Sequence, residues 1–178
     1  FWAAFRLPNM FRRLFAEGAF QAAFVPLFQG KLIDGDKDAA KLFAEEVMAS
    51  LLFILLAFTV VVEIAAPLFV HLIASGFADD PEKFDLTTLY LRIMFPYLAC
   101  MSMVGLLSGV LNSLDKFMAY AGAPLLLNFC QIAAIVFYAG NAIHITGEAL
   151  AWATAISGIL QLWLLMWGAK RQGYLLKW

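Results

Sequence analysis

The chain has 178 residues, 63% of them hydrophobic and 14% charged, with a formal net charge of −1. Soluble domains sit near 45–50% apolar and about 25% charged, so an ordinary soluble domain is excluded. The near-neutral charge, with no basic block, also argues against a nucleic-acid partner.

The apolar residues come in long runs, the mark of an all-α integral membrane protein. Five segments reach the roughly 20 residues that a ~30 Å hydrocarbon core needs. They cover 1–29, 44–74, 87–112, 117–140 and 147–169. The short connections predict antiparallel neighbours in one bundle.

The first segment, FWAAFRLPNMFRRLFAEGAFQAAFVPLFQ, carries Arg6, Arg12, Arg13 and Glu17. An arginine at the bilayer centre costs roughly 2.5–3.5 kcal/mol on insertion scales, and three on a lipid face on the order of 10 kcal/mol. The other helices must shelter this one, with its charges turned to a wet interior or an anionic ligand. At 100° per residue, Arg6, Arg13 and Glu17 fall within about 40° of one another. Asn9 and Gln21 widen that face. Arg13 and Glu17 stand i,i+4, which also allows a self-neutralising structural pair. Arg12 points roughly 100° away from Arg13 and has no carboxylate at helical spacing. Such an intramembrane cation reads as an anion ligand or a cavity-lining charge. Arg6 lies nearer the outer end, where snorkelling is an equal reading.

The loop 30–41 holds Lys31, Lys37 and Lys41. The second segment has its apolar core at 47–62 and is interrupted by Glu63, read as an interfacial carboxylate rather than a proton carrier. The loop 75–86 is acidic, with Asp79, Asp80, Glu82 and Asp85. Arg92 enters the third segment near its outer mouth, and Gly105, Ser108 and Gly109 follow. With Gly122 in the fourth, these small residues permit close helix approach. Lys116 lies in the next turn, the turn 140–147 has no Lys or Arg, and the tail holds Lys170, Arg171 and Lys177. Lysine and arginine thus favour alternate loops, so the first residue is expected outside and the tail in the cytoplasm. Pro8, Pro26, Pro67, Pro96 and Pro124 interrupt four of the five segments, which suggests bent helices around a cavity.

Other features are plainer. Cys100 and Cys130 read as small buried hydrophobes. Asn112, Asn128, Gln131 and Gln161 read as interhelical hydrogen-bond formers. Trp2, Tyr90, Trp163, Trp167, Tyr174 and Trp178 suit an interfacial belt. His71 and His144 have no partners at metal-ligand spacing, so no metal or other cofactor is expected. No phosphate loop and no catalytic acid–base set is visible, so an enzyme is not expected. The chain opens inside an apolar pattern and stops after a basic cluster, and so reads as a fragment.

The run RLPNMFRRLFAEGAFQAAFVP resembles the second transmembrane helix of the MurJ/MviN lipid II flippases. PLFVHLIASGFADDPEKFDLTTLYLRIMFPYL, GVLNSLDKFMAYAGAPLLLN and LAWATAISGILQLWLLM resemble that family's following stretches in order. The resemblance covers essentially the whole chain. It implies the second to sixth helices of the N-terminal lobe of a MATE-like, two-lobed exporter fold of the MOP superfamily. The implied substrate is lipid II, the undecaprenyl-pyrophosphate-linked peptidoglycan precursor. It would be moved from the cytoplasmic to the outer leaflet of the bacterial inner membrane by alternating access. The first arginine of the RR pair binds head group in that family, which carries to Arg12. Arg13 and Glu17 match the same motif with less weight, and Arg6 and Asn9 share its helix. The implied partners are lipid II, membrane lipids and the remainder of the same polypeptide, namely a first helix and a C-terminal lobe. Glu63 departs from the family's apolar pattern. Rival readings are a multidrug or polysaccharide exporter of the same superfamily, a non-transporting cell-wall scaffold, and a membrane enzyme acting on polyprenyl phosphates.

Overall fold

Away from water, a spanning chain must satisfy every backbone N–H and C=O internally, so long apolar runs become helices. The computed structural model describes residues 1–14, 19–33, 37–77, 80–114, 122–138, 140 and 142–171. Its helices are α1 (Trp2–Arg12), α2 (Ala19–Ile33), α3 (Lys37–Ile64), α4 (Ala66–Ile73), α5 (Pro81–Met94), α6 (Tyr97–Ser113), α7 (Ala123–Tyr138) and α8 (Ile143–Arg171). A short 3₁₀ turn, Ser75–Phe77, follows α4. Among the described residues there is no strand.

The prolines differ in what they do. Pro8 and Pro26 lie inside α1 and α2 without ending them. Pro67 follows the break at Ala65 between α3 and α4, and Pro96 sits at the break between α5 and α6. Pro124 is the second residue of α7, in the first turn where a missing N–H costs nothing.

The core is built around α6, which packs against α1, α2, α3 and α8. From Tyr97 to Leu111 every residue is buried except the half-buried Cys100. Within the apolar stretch Pro81–Ser113, 83% of the most hydropathic window is buried, against 22% for α3. The α5–α6 stretch is therefore the spine, and α3 is peripheral. The spacing on α3 gives the reason. Ala40, Ala44, Met48, Leu51, Leu55, Thr59 and Val62 form one buried stripe at helical spacing. Phe53 (75% exposed) and Ile64 (77%) face outward. So much exposed apolar surface suits a helix that meets lipid. Lys37–Ile64, Pro81–Ser113 and Ile143–Arg171 are each long and apolar enough to cross a membrane, and Leu125–Tyr138 is a shorter apolar helix.

Small residues set the closest approaches. A Cβ on Gly109 would meet Val25 Cγ2 at 3.3 Å, so α2 lies directly against α6 there. A Cβ on Gly158 would meet Tyr97 Cδ2 at 2.7 Å and Cys100 Cβ at 3.2 Å, where α8 meets α6. Tyr90 hydroxyl donates to the His144 carbonyl at 2.8 Å and joins α5 to α8. Tyr90 is buried, so it belongs to this contact and not to an interfacial belt. The cysteines are free and half-buried.

Candidate functional site

The face of α1 follows from its sequence. With Arg13 taken as 0°, Arg6 lies near 20° and Asn9 near −40°. Ala4, Leu7 and Phe11 lie near 180°, 120° and 160° on the same wheel. Ala4, Leu7 and Pro8 are buried, α1 packs on α5 and α6, and Phe11 meets Phe58 of α3 edge-on at 4.9 Å. Arg6, Met10 and Arg13 are exposed on the opposite side. An otherwise apolar helix thus presents a cationic stripe away from the helices it packs on.

Arg12 joins that stripe through Asn9. Its Nε donates to Asn9 Oδ1 at 3.1 Å, one turn earlier, and both residues are half-buried. Asn9 lies about 60° from Arg12 and about 40° from Arg13, between the two directions. Arg6, Asn9, Arg12 and Arg13 therefore share an arc of about 120°. The backbone widens into a π turn at Arg13 and Leu14, a local departure often found at functional sites. Glu17, and with it the expected pairing with Arg13, lies outside the described residues. So do Asp79, Lys116, Tyr174, Lys177 and Trp178.

Gln21 does not widen this face. It is half-buried, and its Nε2 donates to the Gly105 carbonyl of α6 at 2.9 Å. An amide that reaches another helix gains more in a bundle than one left on a charged face. Gln131 Nε2 likewise donates to Thr154 Oγ1 at 3.2 Å, joining α7 to α8. Asn112 and Asn128 are exposed, and the buried Gln161 Nε2 has no acceptor among the described residues.

A second charged place was not foreseen. Pro67 has no N–H to give the Glu63 carbonyl four residues earlier. Arg92 Nε donates to that carbonyl at 3.2 Å, from α5 across to the end of α3. Glu63 itself keeps one carboxylate oxygen buried with no hydrogen-bond donor among the described residues. Proline and arginine lie 25 positions apart in the chain, so no spacing rule links them. No group of three His, Cys, Asp or Glu side chains is placed to hold a metal among the described residues.

Just past the arginine pair opens a cleft of about 720 Å³ between the end of α1, the start of α2 and residues 43–54 of α3. Leu14, Phe20, Phe43, Val47, Leu51 and Ile54 line it with hydrocarbon, and Glu46 and Ser50 add polar atoms.

The family model described as lipid II flippase MurJ matches residues 1–178. A protein of Rhizobium tropici named a probable lipid II flippase MurJ is 49% identical over 97% of this chain and 33% of its own length. One of Rhizobium meliloti with the same name is 48% identical over 96% of this chain and 32% of its own. The lipid II flippase MurJ of Burkholderia cenocepacia is 40% identical over 96% of this chain and 33% of its own. The chain spans about a third of the length of these curated relatives. A match along every residue, with identities of 40–49% across nearly the whole chain, leads to one conclusion: the chain belongs to the lipid II flippase MurJ family.

Proposed function

We propose that this chain is the part of a lipid II flippase that presents cations to the substrate's pyrophosphate. The whole protein would carry the lipid-linked peptidoglycan precursor from the inner to the outer leaflet of the bacterial cytoplasmic membrane. It acts as a transporter and makes or breaks no covalent bond. The chain supplies five spans of one lobe of a two-lobed exporter, and the rest of the polypeptide supplies the facing lobe. Alternating access of the two lobes exposes the arginine face to each side in turn.

The observation that supports this reading is the face of α1, with Arg6 and Arg13 exposed and Arg12 braced by Asn9. Guanidinium stays charged at any physiological pH and forks onto phosphate oxygens, which suits a pyrophosphate. A cationic drug would call for carboxylates on this face instead. Moving net charge across the membrane couples to its potential at about 2.3 kcal/mol per charge per 100 mV, which offers a driving force.

The test is replacement of a depleted flippase in living cells by the full-length protein. The unsubstituted protein should restore growth and the appearance of precursor in the outer leaflet. Arg12→Ala should reduce export at least tenfold, and Arg12→Glu should abolish it at unchanged membrane abundance. Normal export by Arg12→Glu would overturn the assignment of this residue. Failure of an inserted, unsubstituted protein to rescue would overturn the function.

A further inference from the structure

We propose that Phe58 of α3 is a positioning residue for Arg12: it fixes the rotation of the last turn of α1 and so aims the guanidinium at the anionic head group. This rests on the function proposed above and deepens it by naming what holds the arginine in place.

The last turn of α1 is weakly governed by its own helix. Pro8 has no N–H to bond the Ala4 carbonyl, so one link between the two halves of α1 is missing. After Arg12 the backbone leaves α-helical geometry in the π turn at Arg13 and Leu14. Asn9 to Arg12 is therefore a single turn between two irregularities, and its rotation about the helix axis has to be set from outside. Asn9 cannot set it, because it rides on the same turn as the Arg12 Nε it accepts from and rotates with it.

Phe11 is the handle by which α3 grips that turn. It stands about 100° round the helix from Arg12, on the side away from Arg13. Its ring meets Phe58 edge-on at 4.9 Å, and Phe58 meets Phe95 edge-on at 5.6 Å. Phe95 is fully buried and closes α5 just before Pro96, at the break with α6. The three rings thus run in line from the arginine turn to the spine. Edge-to-face aromatic pairs prefer an angle as well as a distance, so a Phe58 backed by Phe95 holds Phe11 in direction. Rotating the turn by about 20° would move an atom about 6 Å from the axis by roughly 2 Å. A hydrogen bond to a phosphate oxygen spans only about 2.7–3.2 Å, so that swing would break it. Phe58 meets α1 behind the arginine face and acts through the helix, without touching the substrate.

The experiment uses the full-length protein in proteoliposomes, with radiolabelled undecaprenyl-pyrophosphate-linked precursor as the probe and export measured against its mole fraction. Phe58→Leu keeps the site apolar and removes the ring edge. It should raise KM for the precursor about fivefold and leave the maximal rate within twofold. In an Arg12→Ala background the same substitution should change KM less than twofold, because the guanidinium it positions is gone. Phe53→Leu, at an outward-facing ring of the same helix, should change neither parameter. If Phe58→Leu does not accumulate in the membrane, Phe11→Leu breaks the same contact from α1 and must give the same rise in KM. A lower maximal rate at unchanged KM would make Phe58 a packing residue only and overturn the proposal. So would a fivefold rise that persists in the Arg12→Ala background, or an equal rise with Phe53→Leu. Each of these leaves the proposed function standing, whereas absence of export by the unsubstituted protein would remove both.

Discussion

Asn9 turns two diverging arginines into one face, because a short amide between them can brace a guanidinium one turn later. Single residues elsewhere set packing with equal economy. Gly158 has no room for a methyl group against the buried Tyr97, whereas a Cβ at Gly30 would meet nothing within 4 Å. Gly158→Ala should therefore cost about 1–3 kcal/mol through overpacking. Gly30→Ala, inside α2, should gain roughly 0.5–1 kcal/mol through helix propensity. Unfolding midpoints in detergent check both, and a neutral Gly158→Ala would contradict the close approach of α6 and α8. Asp80 caps α5: its Oδ1 accepts the Lys83 N–H at 3.2 Å and its Oδ2 meets Lys83 Nζ at 2.6 Å. The side-chain bond to Lys83, followed by the backbone bond, holds the Asp80 pKa below its ordinary value. A depressed carboxylate stabilises the fold above its unfolded pKa, and that contribution is lost as pH falls through the folded pKa. The Lys83 amide resonance should titrate with a midpoint below that of an ordinary aspartate, and Asp80→Asn should abolish that titration.

At the scale of elements, the informative feature is the broken second segment. Pro67 frees the Glu63 carbonyl, and Arg92 fills it from another helix. The two substitutions should therefore be coupled. Arg92→Leu should destabilise the native protein but lose most of that effect in a Pro67→Ala background, where residue 67 regains an N–H. A coupling of about 0.6 kcal/mol is the usual scale for such bonds in membranes. A double-mutant cycle on unfolding in detergent measures it, and strict additivity would mean that Arg92 acts elsewhere. The sequence showed Pro67 and Arg92 separately, as a helix breaker and a cation near the outer mouth of a segment. Their pairing was not legible, because it depends on how α5 lies across the end of α3. Gln21 was misplaced for a related reason. A wheel reports the direction of a Cα, and the nearer carbonyl of Gly105 decided where the amide went.

For the whole molecule, the spine of α5 and α6 and the peripheral α3 describe a bundle that exposes much hydrocarbon outside the arginine face. At the C-terminal end of α8, Trp163 and Trp167 stack at 6.3 Å, and the Arg171 guanidinium lies 3.9 Å from the centre of the Trp167 ring. Such aromatic and cationic side chains suit a membrane interface. The distribution of lysine and arginine predicts that this end lies in the cytoplasm. With Cys100 and Cys130 changed to Ser, Glu82→Cys should react with an impermeant thiol reagent from outside the cell. Lys37→Cys should react only after permeabilisation. The reverse pattern would invert the topology and, with it, the side from which substrate enters.

Composition and runs of apolar residues determined by themselves that this is a helical membrane protein, since a bilayer leaves a spanning chain few other ways to satisfy its backbone. The motif around Arg12 and Arg13 was enough to indicate the family, because a run of specific residue types is readable without coordinates. Only the tertiary structure decided which helix became the spine, that Asn9 gathers Arg12 onto the cationic face, that Arg92 serves the carbonyl freed by Pro67, and that an apolar cleft opens beside the arginines. Each of these depends on side chains meeting across helices, and such distances are set by packing rather than by position along the chain.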